Sequence, residues 1–417
     1  MSQTRDATLR PQLNLLDAVS TGLAAILGAG IFAVIAPAAG IAGPALLISL
    51  LIAGFVALCN ALSSAQLAAV LPRTGGTYEF GKRMLGNWYG FSAGWMFLVA
   101  NTLGPGVIAL AFGSYLHAIV GIIPVRVASV GAAISMTLIN AFGIRRSVSL
   151  TDVVVIFSII SLLAIVAIAL PGSNTSNLQP FAPNGALGIL RATGLLFFAY
   201  TGYSRIATLV EEVRNPRRTI PRATVIALGT AVVLYLLVGT AAIAVLGTTR
   251  LSNSSSPFED VMLAVGSGIG FATVAVGALL TTFNEGLSDL LGVSRVAFAM
   301  SRGKDLPEDL SHLGSDKNPW RSVLFVGGVA ILVAAFAPFV VAVAVSSFGT
   351  LLYYTVTNLS ALRLEKTQRM FPRFLAISGL VGCVGLAFLL PPEDVAIGLG
   401  ILLIGLALRG IRVFLTR

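Results

Sequence analysis

Apolar residues fill long runs along this chain, and short polar stretches separate them. A bilayer core takes about 20 such residues per helix. About twelve runs approach that length: Leu15–Ala36, Pro44–Leu71, Trp88–His117, Val127–Phe142, Leu150–Leu170, Gly188–Val210, Ala223–Leu246, Ser267–Met300, Ser322–Phe336, Phe339–Asn358, Phe374–Leu390 and Val395–Leu408. The pattern predicts an all-α polytopic membrane protein. The first run follows Met1–Asn14 and is too long for a cleavable signal peptide, so it is expected to stay as a span. Connecting stretches such as Pro171–Asn177 and Thr248–Pro257 are short and rich in turn residues. With no segment between runs long enough to fold alone, the chemistry is expected inside the bilayer.

Composition strengthens this picture. The 417 residues are 56% apolar and 11% charged, against about 25% charged in an average soluble domain. That argues against a soluble enzyme, a disordered chain and a nucleic-acid binder. Cys59 and Cys383 both fall in apolar runs and read as small core residues, and His117 and His312 share no ligand spacing. Neither a metal site nor a cofactor is expected.

The net charge of +10 is a matter of placement. Of 27 Lys and Arg, 22 fall in one set of alternate loops, whereas Arg126, Arg191 and Arg250 are the 3 in the other. Arg205 and Arg295 lie inside runs. Positive charge collects on the cytoplasmic side, so both termini are expected there. Short tails and loops fit the inner membrane of a prokaryote.

Two runs carry glycines in their middle. The first contains Gly28-Ala29-Gly30-Ile31-Phe32, and the sixth contains Tyr200-Thr201-Gly202-Tyr203-Ser204. Glycine costs a helix about 1 kcal/mol relative to alanine. A break frees backbone groups that lipid does not tolerate except beside protein or a cavity. Half-helix N-termini then favour a carboxylate, and exposed carbonyls favour an ammonium or a cation. Recurrence in runs one and six is the pattern of two inverted five-helix repeats. The competing reading is close helix packing at Gly22, Gly28 and Gly30.

Phe198-Ala199-Tyr200-Thr201-Gly202-Tyr203 leads into Glu211-Glu212-Val213-Arg214-Asn215-Pro216-Arg217-Arg218-Thr219-Ile220-Pro221-Arg222-Ala223. This stretch resembles the sixth span and following loop of amino-acid permeases in the amino acid–polyamine–organocation superfamily. Gly28–Phe32 is similar to that family's first-span break, Leu71–Tyr78 to its loop after span two, and Ser294-Arg295 with Leu306-Pro307 to its eighth-span exit. The resemblance covers about Leu15 to Asn358 and implies a LeuT-like fold. Residues 15–170 then form the first repeat, 188–358 the second and 374–408 spans eleven and twelve, with 1–14 and 409–417 as cytoplasmic ends. It implies that a substrate carboxylate meets Gly28, Ala29 and Gly30. The amino group would meet carbonyls near Ile26, Phe198 and Thr201, beside Gly202, with Phe198 as an aromatic gate and Tyr203 as a further gating candidate.

Asp17, Asp152, Glu285 and Asp289 are the acidic residues within or at the start of runs. The first two sit near ends and read as caps or interfacial partners. Glu285 and Asp289 sit mid-run at i and i+4, on one helix face. A carboxylate at the bilayer centre costs about 2.5–3.5 kcal/mol on insertion scales, so it should face a cavity or a partner. Three readings stand: Asp289 binds a substrate ammonium, the pair carries a coupling proton or Na⁺, or one of them pairs structurally with Arg205 or Arg295. By the family pattern, a lysine of the fifth span and an acidic residue of the sixth are replaced here by Ser158 and Ser204. A serine near position 158 could line a Na⁺ site but cannot supply an ammonium. Asn60, Gln66, Asn101 and Asn140 read as interhelical glue.

Together these features point to a secondary transporter of an amino acid or organic amine, leaning cationic, working by alternating access. It would be coupled to H⁺ or Na⁺ or run as an exchanger, with the lipid bilayer as its other partner. The alternatives are a passive channel or facilitator and a substrate sensor built on a transporter fold. No catalytic motif supports an intramembrane enzyme.

Overall fold

The computed structural model describes residues 14–71, 76–143, 148–208, 213, 215–314 and 318–415. Pro72–Gly75, Arg145, Arg146, Glu211, Glu212 and Arg214, which carry parts of the motifs and the charge pattern, lie outside them.

The first run folds as two helices, α1 (Leu15–Ile26) and α2 (Ala29–Ala42), and α3 (Leu46–Val70) follows. Next come α4 (Gly76–Met84), α5 (Asn87–Val120), α6 (Val125–Ala141) and α7 (Val148–Ala169). The sixth run is α8 (Gly185–Leu196), a 3₁₀ segment (Phe197–Tyr203) and α9 (Ser204–Thr208). The chain continues with α10 (Pro216–Ser252), α11 (Pro257–Ala264), α12 (Gly268–Arg302), α13 (Trp320–Phe336), α14 (Phe339–Leu362), α15 (Arg373–Leu389) and α16 (Pro392–Leu415). Among the described residues, 7 helical segments are long and apolar enough to cross a membrane, and shorter apolar helices accompany them. A helix or broken helix falls on each of the twelve apolar runs. The chain is an integral, polytopic helical membrane protein.

Local chemistry explains the starts. Asn14 caps α1, accepting from Leu16 N at 2.7 Å and Asp17 N at 3.1 Å, while Asp17 accepts from Asn14 N at 2.8 Å. This reciprocal box satisfies donors that a helix end leaves free. Asp152, the other acidic residue near a run's start, accepts a hydrogen bond from Ser20 of α1.

Packing sorts the helices into inner and outer members. Most of α5 and α14 is buried, whereas most of α7 and α16 faces outward. On α7 the outward positions are Val153, Ile156, Ile160 and Leu163, and the buried ones include Ser158 and Ser161. A helix with its apolar stripe outside and its hydroxyls inside is built for lipid rather than water. Buried amides link helices: Asn358 donates to Asn60 at 2.7 Å, and Asn140 of α6 to the Leu287 carbonyl of α12 at 3.1 Å. α5 packs along α12 and α14, while α1 lies against α10 and the 3₁₀ segment. The two broken runs are thereby held face to face beside α12.

Candidate functional site

α1 stops at Ile26, Leu27 turns extended, and α2 starts at Ala29 with Gly28 as its cap. Opposite, the 3₁₀ segment interrupts the sixth run. The breaks touch backbone to backbone. A Cβ on Gly202 would lie 1.9 Å from the Ala25 carbonyl oxygen, and one on Gly30 would lie 2.3 Å from Ala199 Cα. No side chain fits either place. Tyr235 of α10 fastens the junction, donating to the Ile26 carbonyl at 2.6 Å, with the Ala199 carbonyl 3.1 Å away as a second acceptor. The carbonyl of Ile26, expected to face a substrate amine, is therefore engaged within the protein.

α12 brings its two carboxylates to this junction. Glu285 accepts the Ala29 N–H through Oε2 at 2.7 Å, the length of a charge-assisted hydrogen bond. A Cβ on Gly28 would lie 2.1 Å from that oxygen, so the carboxylate occupies space that only glycine leaves free. Asp289, one turn on, pairs with Arg205 of α9, Oδ1 to Nη2 at 2.5 Å. Of the three readings of the pair, an ion pair with Arg205 is thus formed for Asp289.

A small, partly open cavity lies between these elements. Ala25 of α1 lines it, with Phe198, Thr201 and Gly202 from the 3₁₀ segment and Ser204 and Arg205 from α9. Glu285, Ser288 and Asp289 of α12 form another wall, and α5 and α14 contribute Asn101, Gly104, Ile108 and Ser346. The structure thus brings Phe198, Thr201, Gly202, Ser204, Glu285 and Asp289 to one space. Ile26, Gly28, Ala29 and Gly30 lie behind that wall and are buried. Tyr203 turns away and packs on Tyr354, ring centroids 5.2 Å apart. Ser158 does not line the cavity; it is buried, donating to the Val154 carbonyl at 2.7 Å and meeting the Thr281 hydroxyl at 2.5 Å. It offers two neighbouring hydroxyl oxygens, both engaged with protein.

Sequence reading missed Tyr235, Ser288 and Ser346, and took Asn101 for glue. Tyr235 sits in an unbroken apolar run, where an aromatic residue is unremarkable. Its role depends on a hydroxyl reaching two breaks that are remote in sequence.

A buried, charged cavity among broken helices defines a membrane protein with an internal polar site. The match of the amino acid permease family model to residues 13–397 makes the class specific. The chain is 43% identical over 418 residues to an uncharacterized transporter of Mycobacterium tuberculosis, covering 98% of this chain and 93% of that protein. It is 28% identical over 405 residues to a branched-chain amino acid permease of Bacillus subtilis, covering 92% and 87%. With human cationic amino acid transporter 4 it shares 30% over 399 residues, covering 88% and 62%. The chain belongs to the amino acid permease family, within the amino acid–polyamine–organocation superfamily.

Proposed function

We propose that this chain is a secondary active transporter that carries an amino acid or organic amine by alternating access. The carrying observation is the contact of the two breaks, Gly30 on Ala199 and Gly202 on Ala25, beside a cavity lined by Glu285 and Asp289. Interrupted helices meeting at a polar cavity provide half-helix N-termini for an anion and loose carbonyls for a cation. In this reading residues 15–170 and 188–358 are inverted repeats, and 374–408 add two spans to make twelve. One bundle rocks against the other around the junction, with Phe198 closing over the cargo. The 22-to-3 division of basic residues supports a reading with both termini in the cytoplasm and the chain in an inner membrane. Coupling to H⁺ or Na⁺ supplies the drive.

A cationic cargo is favoured by one observation: the cavity wall holds two carboxylates and one guanidinium. The family relationship to cationic amino acid transporter 4 points the same way.

Proteoliposomes test the reading with labelled arginine, lysine, alanine and putrescine under pH or Na⁺ gradients. Saturable uptake and accelerated exchange against internal substrate are expected. Flux that neither saturates nor exchanges would indicate a channel and overturn it.

A further inference from the structure

The N-terminus of α2 is an anion seat already filled from within the protein. Ile31 N–H already bonds the Gly28 carbonyl at 3.2 Å, but the Ala29 N–H at the very start points out of the helix, where such groups favour negative charge. Glu285 takes the Ala29 N–H at 2.7 Å while also forming part of the cavity wall. The fit is close, because the carboxylate lies where a side chain at Gly28 would stand. We propose that Glu285 and the carboxylate of the cargo compete for this one seat, so that a proton landing on Glu285 is what admits an amino acid. The proposal rests on the transporter reading above.

The surroundings make the competition electrostatic. Arg205 is held by Asp289 through both its side chain and its main-chain carbonyl, the latter at 3.3 Å. Where Glu285 is ionised, an incoming carboxylate meets its negative charge at the helix end. The charged and titratable groups facing Glu285 are Asp289 on its own helix, Arg205 from α9 and Tyr235 from α10. α5 and α14 bring the uncharged Asn101 and Ser346.

The cycle balances with one proton. Water on the loading side gives a proton to a Glu285 carboxylate oxygen. The neutral acid is a weaker acceptor and leaves the Ala29 N–H. The cargo carboxylate then accepts that N–H. On the opposite side the cargo departs, Glu285 returns its proton to water, and the ionised side chain takes back the seat. Cargo without a carboxylate makes no claim on the seat and needs no proton. One proton thus accompanies each carboxylate, and reciprocity requires that cargo binding itself draw the proton in.

Two measurements on the purified full chain in detergent test this. The first is the affinity for arginine beside agmatine, and for leucine beside 3-methylbutylamine, from about pH 6 to about pH 8.5. Over the alkaline part of that range, amino acid binding is expected to weaken about tenfold per pH unit, while amine binding does not weaken. Glu285→Gln should flatten the amino acid curve. The second measurement needs no variant: in weak buffer with a pH dye, amino acid binding takes up about one proton per site and amine binding takes up none. An amino acid that binds with a flat pH profile and no proton uptake overturns the seat competition and leaves the transporter reading intact. A slope that persists in folded Glu285→Gln, or that the amines share, also overturns it. If none of the four compounds binds, the transporter reading falls and takes this inference with it.

Discussion

Replacing Arg205 by Met tests how the buried pair is held. Arg205 and Asp289 are in contact at 2.5 Å, with side-chain exposures of 18% and 20%. Two unit charges with centres about 4 Å apart attract by about 4 kcal/mol at an effective dielectric of about 20. Removing one member of a buried pair costs about 3–5 kcal/mol, because the other charge remains without compensation. Arg205→Met is therefore expected to lose about 3–4 kcal/mol. Asp289→Asn should lose somewhat less, since Arg205 keeps the Asp289 main-chain carbonyl as an acceptor. In Arg205→Met/Asp289→Leu no charge remains to be compensated, and most of the loss should return. SDS titration in mixed micelles, followed by tryptophan fluorescence, gives all three values and the wild type. If the double variant loses the sum of the single losses to within about 0.5 kcal/mol, the residues are energetically independent and the reasoning fails.

Three further outcomes are expected. Tyr235→Phe removes the hydroxyl shared by the Ile26 and Ala199 carbonyls; a loss of about 1–3 kcal/mol follows from leaving a buried acceptor unpaired, and the same titration measures it. Gly202→Ala puts a methyl 1.9 Å from a backbone oxygen that cannot move aside cheaply, so monodisperse yield on gel filtration should collapse, while Gly229→Ala, with nothing within 4 Å, leaves it unchanged. In α11, outside the spanning helices, burial pushes the Glu259 carboxyl up from 4.5 to about 8, opposed by the Ser256 hydroxyl and reinforced by Asp260. Between those values the folded chain binds more protons there than the unfolded chain, so stability should fall as pH rises, by up to about 1.4 kcal/mol per unit. Glu259→Gln should remove that slope in melting curves taken across the range.

The helices were legible in the residues because lipid asks for one simple thing, apolar length, and about twelve runs approach it, seven of the described helical segments being long enough to cross. Two of them announced their own interruption through Gly28 and Gly202. The i, i+4 spacing put Glu285 and Asp289 on one face, since helical period is a local property. Family motifs near Gly28 and Phe198–Tyr203 carried the class of protein, which the match over residues 13–397 makes explicit.

Partners across space were another matter. Asp289 had Arg205 and Arg295 as rival partners beside a substrate or an ion, and only the approach of α9 to α12 shows that Arg205 is the arginine it pairs with. Glu285 read as a cavity carboxylate, yet its partner is a backbone N–H 256 residues away, reached because Gly28 has no side chain. The Ile26 carbonyl, expected near a substrate amine, also accepts from a tyrosine of α10 that the sequence did not point to. Ser158 and Tyr203 do not line the cavity, since they pack instead against Thr281 and Tyr354. Spacing along one helix follows from covalent geometry, but which donor meets which acceptor depends on how rigid helices settle against each other. That settling is a sum over many contacts, and no single stretch of sequence contains it.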